Sequence, residues 1–131
     1  MTGNKVLLDT NIISALLKGE PGIADKIDST KSVFIPVIAL GELYYGASYS
    51  KHVNKNTRNA QKIAQSYPLL LVDEETSVKY GSIKAALRKK GTPIPENDIW
   101  IAAIALQHDL TVITRDKHFK EVDGLSMIQN W

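Results

Sequence analysis

Short apolar runs alternate with longer segments of helical spacing along this chain. Residues 5–8 (Lys-Val-Leu-Leu), 33–35 (Val-Phe-Ile), 68–72 and 110–114 each read as a short buried strand, and 125–128 adds a fifth candidate. Between them the spacing predicts helices over 12–17, about 23–28, 37 to about 49, 52–66, 74–90 and 97–108. Asp9-Thr10-Asn11 and Asp73 sit where N-caps belong, and the segment from Gly91 to Pro95 is a rigid break. The 97–108 segment is almost wholly apolar, so it should be buried on more than one side. Strands alternating with helices imply an α/β fold: three layers, α/β/α, around a central, mainly parallel sheet of four to five strands. No repeat, low-complexity tract or linker interrupts the pattern, and 131 residues suit one domain spanning 1–131.

Four acidic residues break the apolar pattern. Asp9 follows Val-Leu-Leu, Glu42 lies within Ala-Leu-Gly-Glu-Leu-Tyr-Tyr, Asp98 precedes Ile-Trp-Ile-Ala-Ala, and Asp116 follows Val-Ile-Thr-Arg. A carboxylate beside buried elements loses hydration, at a cost of several kcal/mol if it stays charged and unpaired. In a parallel α/β fold, every strand C-terminus and the start of every following helix lie at one sheet edge, where such folds bind ligands. Asp9 ends the first strand, Glu42 is about one and a half turns into the helix after the second, Asp98 opens the helix before the fourth, and Asp116 follows that strand. Converging there, the four groups would repel one another unless a cation neutralised them. All-oxygen ligands select a hard divalent ion, Mg2+ or Mn2+. Taken singly, Asp9 and Asp98 also read as helix caps, Asp116 as part of a polar turn, and Glu42 as one half of an ion pair. Glu96, next to Asp98, is a possible substitute ligand.

Composition narrows the field further. With no cysteine, disulfides, thiol catalysis and zinc–thiolate sites are excluded. That, with no signal-type N-terminus, fits the cytoplasm, and the apolar runs fall short of the about 20 residues that span a bilayer. A net charge of +2 neither demands nor forbids nucleic acid. Basic residues cluster, however, at Lys51, Lys55, Arg58 and Lys62, and at Lys84, Arg88, Lys89 and Lys90. These read as solvated helix faces or as phosphate contacts. His52, His108 and His118 show no metal-type pairing and read as surface or helix-end residues. No glycine-rich phosphate loop or nucleophile elbow is present.

The segments Val6-Leu7-Leu8-Asp9-Thr10-Asn11, Ile38-Ala39-Leu40-Gly41-Glu42-Leu43 with Gly46, Asn97-Asp98-Ile99-Trp100-Ile101-Ala102-Ala103, and Leu110-Thr111-Val112-Ile113-Thr114-Arg115-Asp116 resemble, in order and across the whole chain, the four motifs of the PIN-domain family, specifically its VapC-type toxins. The resemblance implies a Mg2+- or Mn2+-dependent endoribonuclease that leaves 5′-phosphate and 3′-hydroxyl ends and stops translation. It also implies a homodimer held inactive by a cognate antitoxin. The carry-over makes Asp9, Glu42, Asp98 and Asp116 the catalytic metal ligands, with Asp9 and Asp98 the direct ones. Thr10, Asn11 and Thr114 become their supports, and Lys84, Arg88 and Arg58 candidate RNA contacts. Two other readings use the same residues. A non-catalytic PIN-fold module would bind RNA or protein without cutting. A Mg2+-dependent phospho-acceptor domain would also place an Asp at a strand end, but Asn11 stands where a phosphatase-type Asp-x-Asp needs its second acid.

Overall fold

The computed structural model describes residues 4–131. Five strands, β1 (Lys5–Leu8), β2 (Ser32–Pro36), β3 (Leu69–Leu70), β4 (Thr111–Ile113) and β5 (Met127–Ile128), form one sheet in the order β3-β2-β1-β4-β5. Every neighbouring pair is parallel. The helices are α1 (Thr10–Leu17), α2 (Ile23–Asp28), α3 (Val37–Ser48), α4 (Val53–Ser66), α5 (Glu74–Lys90) and α6 (Glu96–Gln107), and a 3-10 helix covers Lys117–Glu121. None of them is long and apolar enough to cross a membrane.

The pleat of the central strand sorts the core into two layers. Val6 and Leu8 of β1 pack with α1, α2, Ala39 of α3 and Ile63 of α4 on one face. Leu7 points to the other face, among Ile83 and Leu87 of α5 and the apolar residues of α6. β4 divides likewise, Val112 to the α5–α6 side and Ile113 to the α1–α4 side. α6 is buried all round, with Ile99, Ile101, Ala102, Ala103, Ile104 and Ala105 all in the interior, as its uninterrupted apolar sequence requires.

The element boundaries fall close to the expected ones, but two strands are much shorter; the fifth, expected at 125–128, keeps only Met127–Ile128. The expected strand at 68–72 shrinks to two residues. Leu69 and Leu70 pair with Ile35 and Pro36, where β2 ends and the chain turns into α3. Pro36 has no N–H, and nothing lies beyond it to pair with Leu71 and Val72, which are exposed. The break after α5 is fixed by Gly91, whose φ of 71° is the left-handed value of a helix C-terminus.

The strand order places the topological switch between β1 and β4: the chain runs outward from β1 through β2 to β3, then returns to the other side of β1. Open α/β sheets bind ligands outside the strand C-termini at such a switch. Asp9 and Asp116 follow the two strands that flank it.

Candidate metal centre

Asp9 is built in from both sides. Its backbone N–H still bonds Ile113 O of β4 (2.9 Å), while its side chain caps α1 through Thr10 N (2.8 Å). The second carboxylate oxygen accepts from the Thr114 hydroxyl (2.7 Å) and the Asn11 amide (3.3 Å). Asp9 is only 5% exposed. Burial raises its pKa, the hydrogen bonds from Thr114 and Thr10 partly offset that, and the charges of Glu42 and Asp116 push it up further.

Thr114, fully buried at the end of β4, is the hub of this network. Its hydroxyl donates to Asp9 and accepts from the Asp116 N–H (2.9 Å) and more loosely from Asn11 Nδ2 (3.5 Å). That uses its one donor and both acceptor positions. Asn11 also accepts the Arg115 N–H (3.2 Å), which ties the loop after β4 to the start of α1. Thr10 reaches the other way, donating to Glu42 Oε1 of α3 (2.7 Å). The three expected supporting residues, Thr10, Asn11 and Thr114, therefore each bond one of the acids.

Asp98, in the first turn of α6, and Asp116, which caps the 3-10 helix through His118 N (2.9 Å), complete the edge. Asp98 is pushed up to about 6, chiefly by burial; its bond to His118 opposes the rise, and the charges of Asp9 and Asp116 add to it. Asp9 thus feels Glu42 and Asp116, and Asp98 feels Asp9 and Asp116. The four carboxylates occupy one electrostatic neighbourhood.

His118 departs from the expectation of a bystander without metal-type pairing. Its Nδ1 lies 3.0 Å from Asp98 Oδ2 and 2.8 Å from Asp116 Oδ1. One ligand atom each from Asp98, Asp116 and His118 fall within 4.8 Å of one another. The hydrogen bond to Asp98 is the first cause of its raised pKa. The signal in the sequence is the spacing Asp116-x-His118, which a tight 3-10 turn folds into contact. His52 and His108 sit at helix ends as expected. Glu96 shares the first turn of α6 with Asp98, but its side chain does not join the acids: it bonds Lys84 (2.7 Å) and Tyr80. Lys84 is therefore already paired, whereas Arg88 on α5 and Arg58 on α4 are exposed.

The residues present fit a hard divalent cation. Among the described residues no lysine or arginine bonds any of the four acids, and the nearby Arg115 guanidinium is taken up by Glu20 and the Trp131 carbonyl. Two of the carboxylates are held above their ordinary range by burial and mutual repulsion. The donor set is carboxylate oxygen with one imidazole beside it, a set suited to Mg2+ or Mn2+.

A buried Asp at the end of the central strand, joined at the switch of a five-stranded parallel sheet by three more acids, defines the class. A family model for the PIN domain matches residues 6–125, and the chain belongs to the PIN domain family. Ribonuclease VapC1 of Haemophilus influenzae is 32% identical over 130 residues, covering 95% of this chain and 96% of its own. The tRNA(fMet)-specific endonuclease VapC of Salmonella typhimurium is 31% identical, covering 97% of this chain and 98% of its own. The DNA-bound VapBC structure from Salmonella typhimurium superimposes with a TM-score of 0.88 at 30% identity, covering 98% of both chains.

Proposed function

We propose that this chain is a Mg2+- or Mn2+-dependent endoribonuclease, the toxin of a toxin–antitoxin pair, that blocks translation by cutting RNA. The observation that carries the reading is the convergence of Asp9, Glu42, Asp98 and Asp116, with no lysine or arginine partner among the described residues, in a fold shared along nearly its full length with named ribonucleases. The chain would act as one domain in the cytoplasm, as a homodimer, restrained by a cognate antitoxin; the VapBC form of its structural relatives supports such a partner.

Asp9 and Asp98 would hold the cation directly, and Glu42 and Asp116 directly or through water. The chemistry supplied by such an ion is Lewis-acid activation of a water for in-line attack and offset of the charge on the phosphate. The protein's own residues prepare that chemistry. Thr114 fixes the Asp9 carboxylate and the Asp116 backbone with one hydroxyl, so the ends of β1 and β4 keep their spacing. Thr10 locks Glu42, on a separate helix, to the residue after Asp9. His118 lies against Asp98 and Asp116 and offsets their charge when protonated.

The test is cleavage of RNA by the wild-type chain, by Asp9→Asn and by Asp98→Asn, each with Mg2+ and with a chelator. Both substitutions keep size and remove charge. Activity that needs Mg2+ and falls about 100- to 1,000-fold in each variant, as expected when electrostatic stabilisation at the reacting centre is lost, supports the reading. Equal cleavage by all three proteins defeats it.

A further inference from the structure

One cavity shares Thr10 and Glu42 with the acidic edge and runs away from it. It lies between α1 and the α3–α4 hairpin and has a volume of about 450 Å3, inside the range of about 300–1,000 Å3 typical of ligand pockets. Thr10 and Glu42 stand at its active-site end. From there it follows the face of α1 that carries Ser14, Leu17 and Lys18, at helical spacing from Thr10. Its other wall comes from Gly46 and Ala47 of α3 and from Lys55, Asn56, Asn59 and Ala60 of α4. Lys55 also belongs to an adjoining open depression with Lys51 and Arg58.

We propose that this groove is the path of the RNA strand on one side of the scissile phosphate, and that Gly46 is left without a side chain to admit it. The inference rests on the ribonuclease reading and adds where the substrate lies.

Charge favours a polyanion. No acidic residue occurs between Glu42 and Asp73. Lys51, Lys55 and Arg58 make no ion pair among the described residues, in contrast to Lys84, which Glu96 occupies. Lys18 and Lys55 line the groove itself and Lys51 and Arg58 the depression it adjoins; together they give a phosphate backbone an outlet from a site that otherwise repels it. The side chains along the groove suit nucleotides: Asn56 and Asn59 offer amide donors and acceptors to base edges. The Asn56 amide is oriented by its donation to Ser50 Oγ (2.9 Å), which itself donates to Ala47 O (2.7 Å).

Gly46 supplies an independent argument. Glycine inside a helix is less stable than alanine. Gly46 does not adopt a positive φ, and a Cβ built on it would meet nothing within 4 Å. The fold does not need the glycine, yet its missing side chain opens into the groove. Gly81, within α5, has the same open surroundings but lines no part of the groove, so it serves as a control.

The experiment measures anisotropy of a fluorescein-labelled, mixed-sequence, 12-nucleotide single-stranded RNA in Mg2+, in an Asp98→Asn background that does not cut, and in parallel the cleavage of RNA by otherwise wild-type protein. Thermal melts monitor folding. Gly46→Leu is expected to melt at or above the parent temperature while RNA affinity and kcat/KM fall at least about tenfold; Gly81→Leu stays within about twofold. Lys18→Ala with Lys55→Ala is expected to reduce the slope of log affinity against log salt by about 1.4, from two phosphate contacts at about 0.7 each on a single strand. This surface pair keeps the test decisive should Gly46→Leu fold poorly. Unchanged binding and cleavage in both variants overturns the proposal, even if the same variants lose a protein partner. RNA binding that Gly46→Leu weakens, with no cleavage by the wild-type protein, sustains the groove and sinks the nuclease reading. No RNA binding by the parent, with RNA still cut by the wild-type protein and cut equally by Gly46→Leu, sinks the groove alone, and neither binding nor cleavage sinks both.

Discussion

Asp9 and Asp73 do the same local job and have opposite fates. Each follows a strand, each adopts extended backbone, and each caps a helix with its carboxylate, Asp9 at the start of α1 and Asp73 at the start of α5. Asp73 is exposed and sits in a complete capping box. It accepts from Thr76 N (3.0 Å) and Gln107 Nε2 (2.9 Å), and those bonds lower its pKa. Asp9 accepts at least as many hydrogen bonds, yet its pKa is raised, because it is buried and other carboxylates face it. Capping therefore does not separate the two acids. What separates them is whether the surroundings relieve the charge. At Asp73 the protein does so itself. At Asp9 it leaves a deficit that a cation would fill.

The largest expected effect breaks this pair apart directly. Asp9→Asn should lower the RNA cleavage rate by about 100- to 1,000-fold. Asp73→Ala should leave the rate unchanged while lowering the melting temperature through loss of the cap. If the two substitutions cost activity equally, the contrast carries no functional meaning.

Thr114→Val comes next. It keeps shape but removes the hydroxyl that links Asp9 and Asp116, leaving an Asp9 carboxylate oxygen and the Asp116 N–H without that partner, at about 1–3 kcal/mol for a group left unsatisfied. A roughly tenfold to hundredfold drop in kcat is expected, with Mg2+ requirement intact, read from single-turnover cleavage across Mg2+ concentrations. The corresponding change at the other cap, Thr76→Val, should alter the melt and spare the rate.

A smaller effect appears in stability against pH without metal. The folded-state pKa of Asp98 is raised to about 6 from 3.8. A raised carboxyl favours the protonated folded state, so its contribution is fully present below about pH 3.8 and is lost as pH rises through about 6. His118 is also raised; it contributes below its unfolded pKa of about 6.5 and loses that contribution as pH rises further, a change of the same sign. Asp98→Asn cannot ionise. Its melting temperature should therefore gain on that of wild type as pH climbs from 4 to 7 in chelator, and saturating Mg2+ should erase the gain. A difference independent of pH would show that Asp98 is not strained.

Much of this was legible in the chain. Apolar runs and caps are local, so the strands, helices and parallel three-layer arrangement could be read from pattern alone, and topology then carried Asp9, Glu42, Asp98 and Asp116 to one edge. What pattern could not reveal depends on contacts between distant elements. The shortening of the 68–72 strand follows from Pro36 ending its partner. The occupation of Lys84 by Glu96 is a cross-helix contact between α5 and α6. His118 carries a local signal in Asp116-x-His118, but its contact with Asp98, 20 residues away, depends on the fold. The groove beside Gly46 is a volume between three helices, which no linear spacing encodes.

The central claim is that folding gathers these acids into a seat for a hard cation, and Mn2+ titration followed by electron paramagnetic resonance tests it most directly. The account predicts saturable Mn2+ binding by the wild-type chain and by Asp73→Ala, competed by Mg2+ and lost in Asp9→Asn. Binding that survives unchanged in Asp9→Asn, or no saturable binding by the wild-type protein, would contradict it.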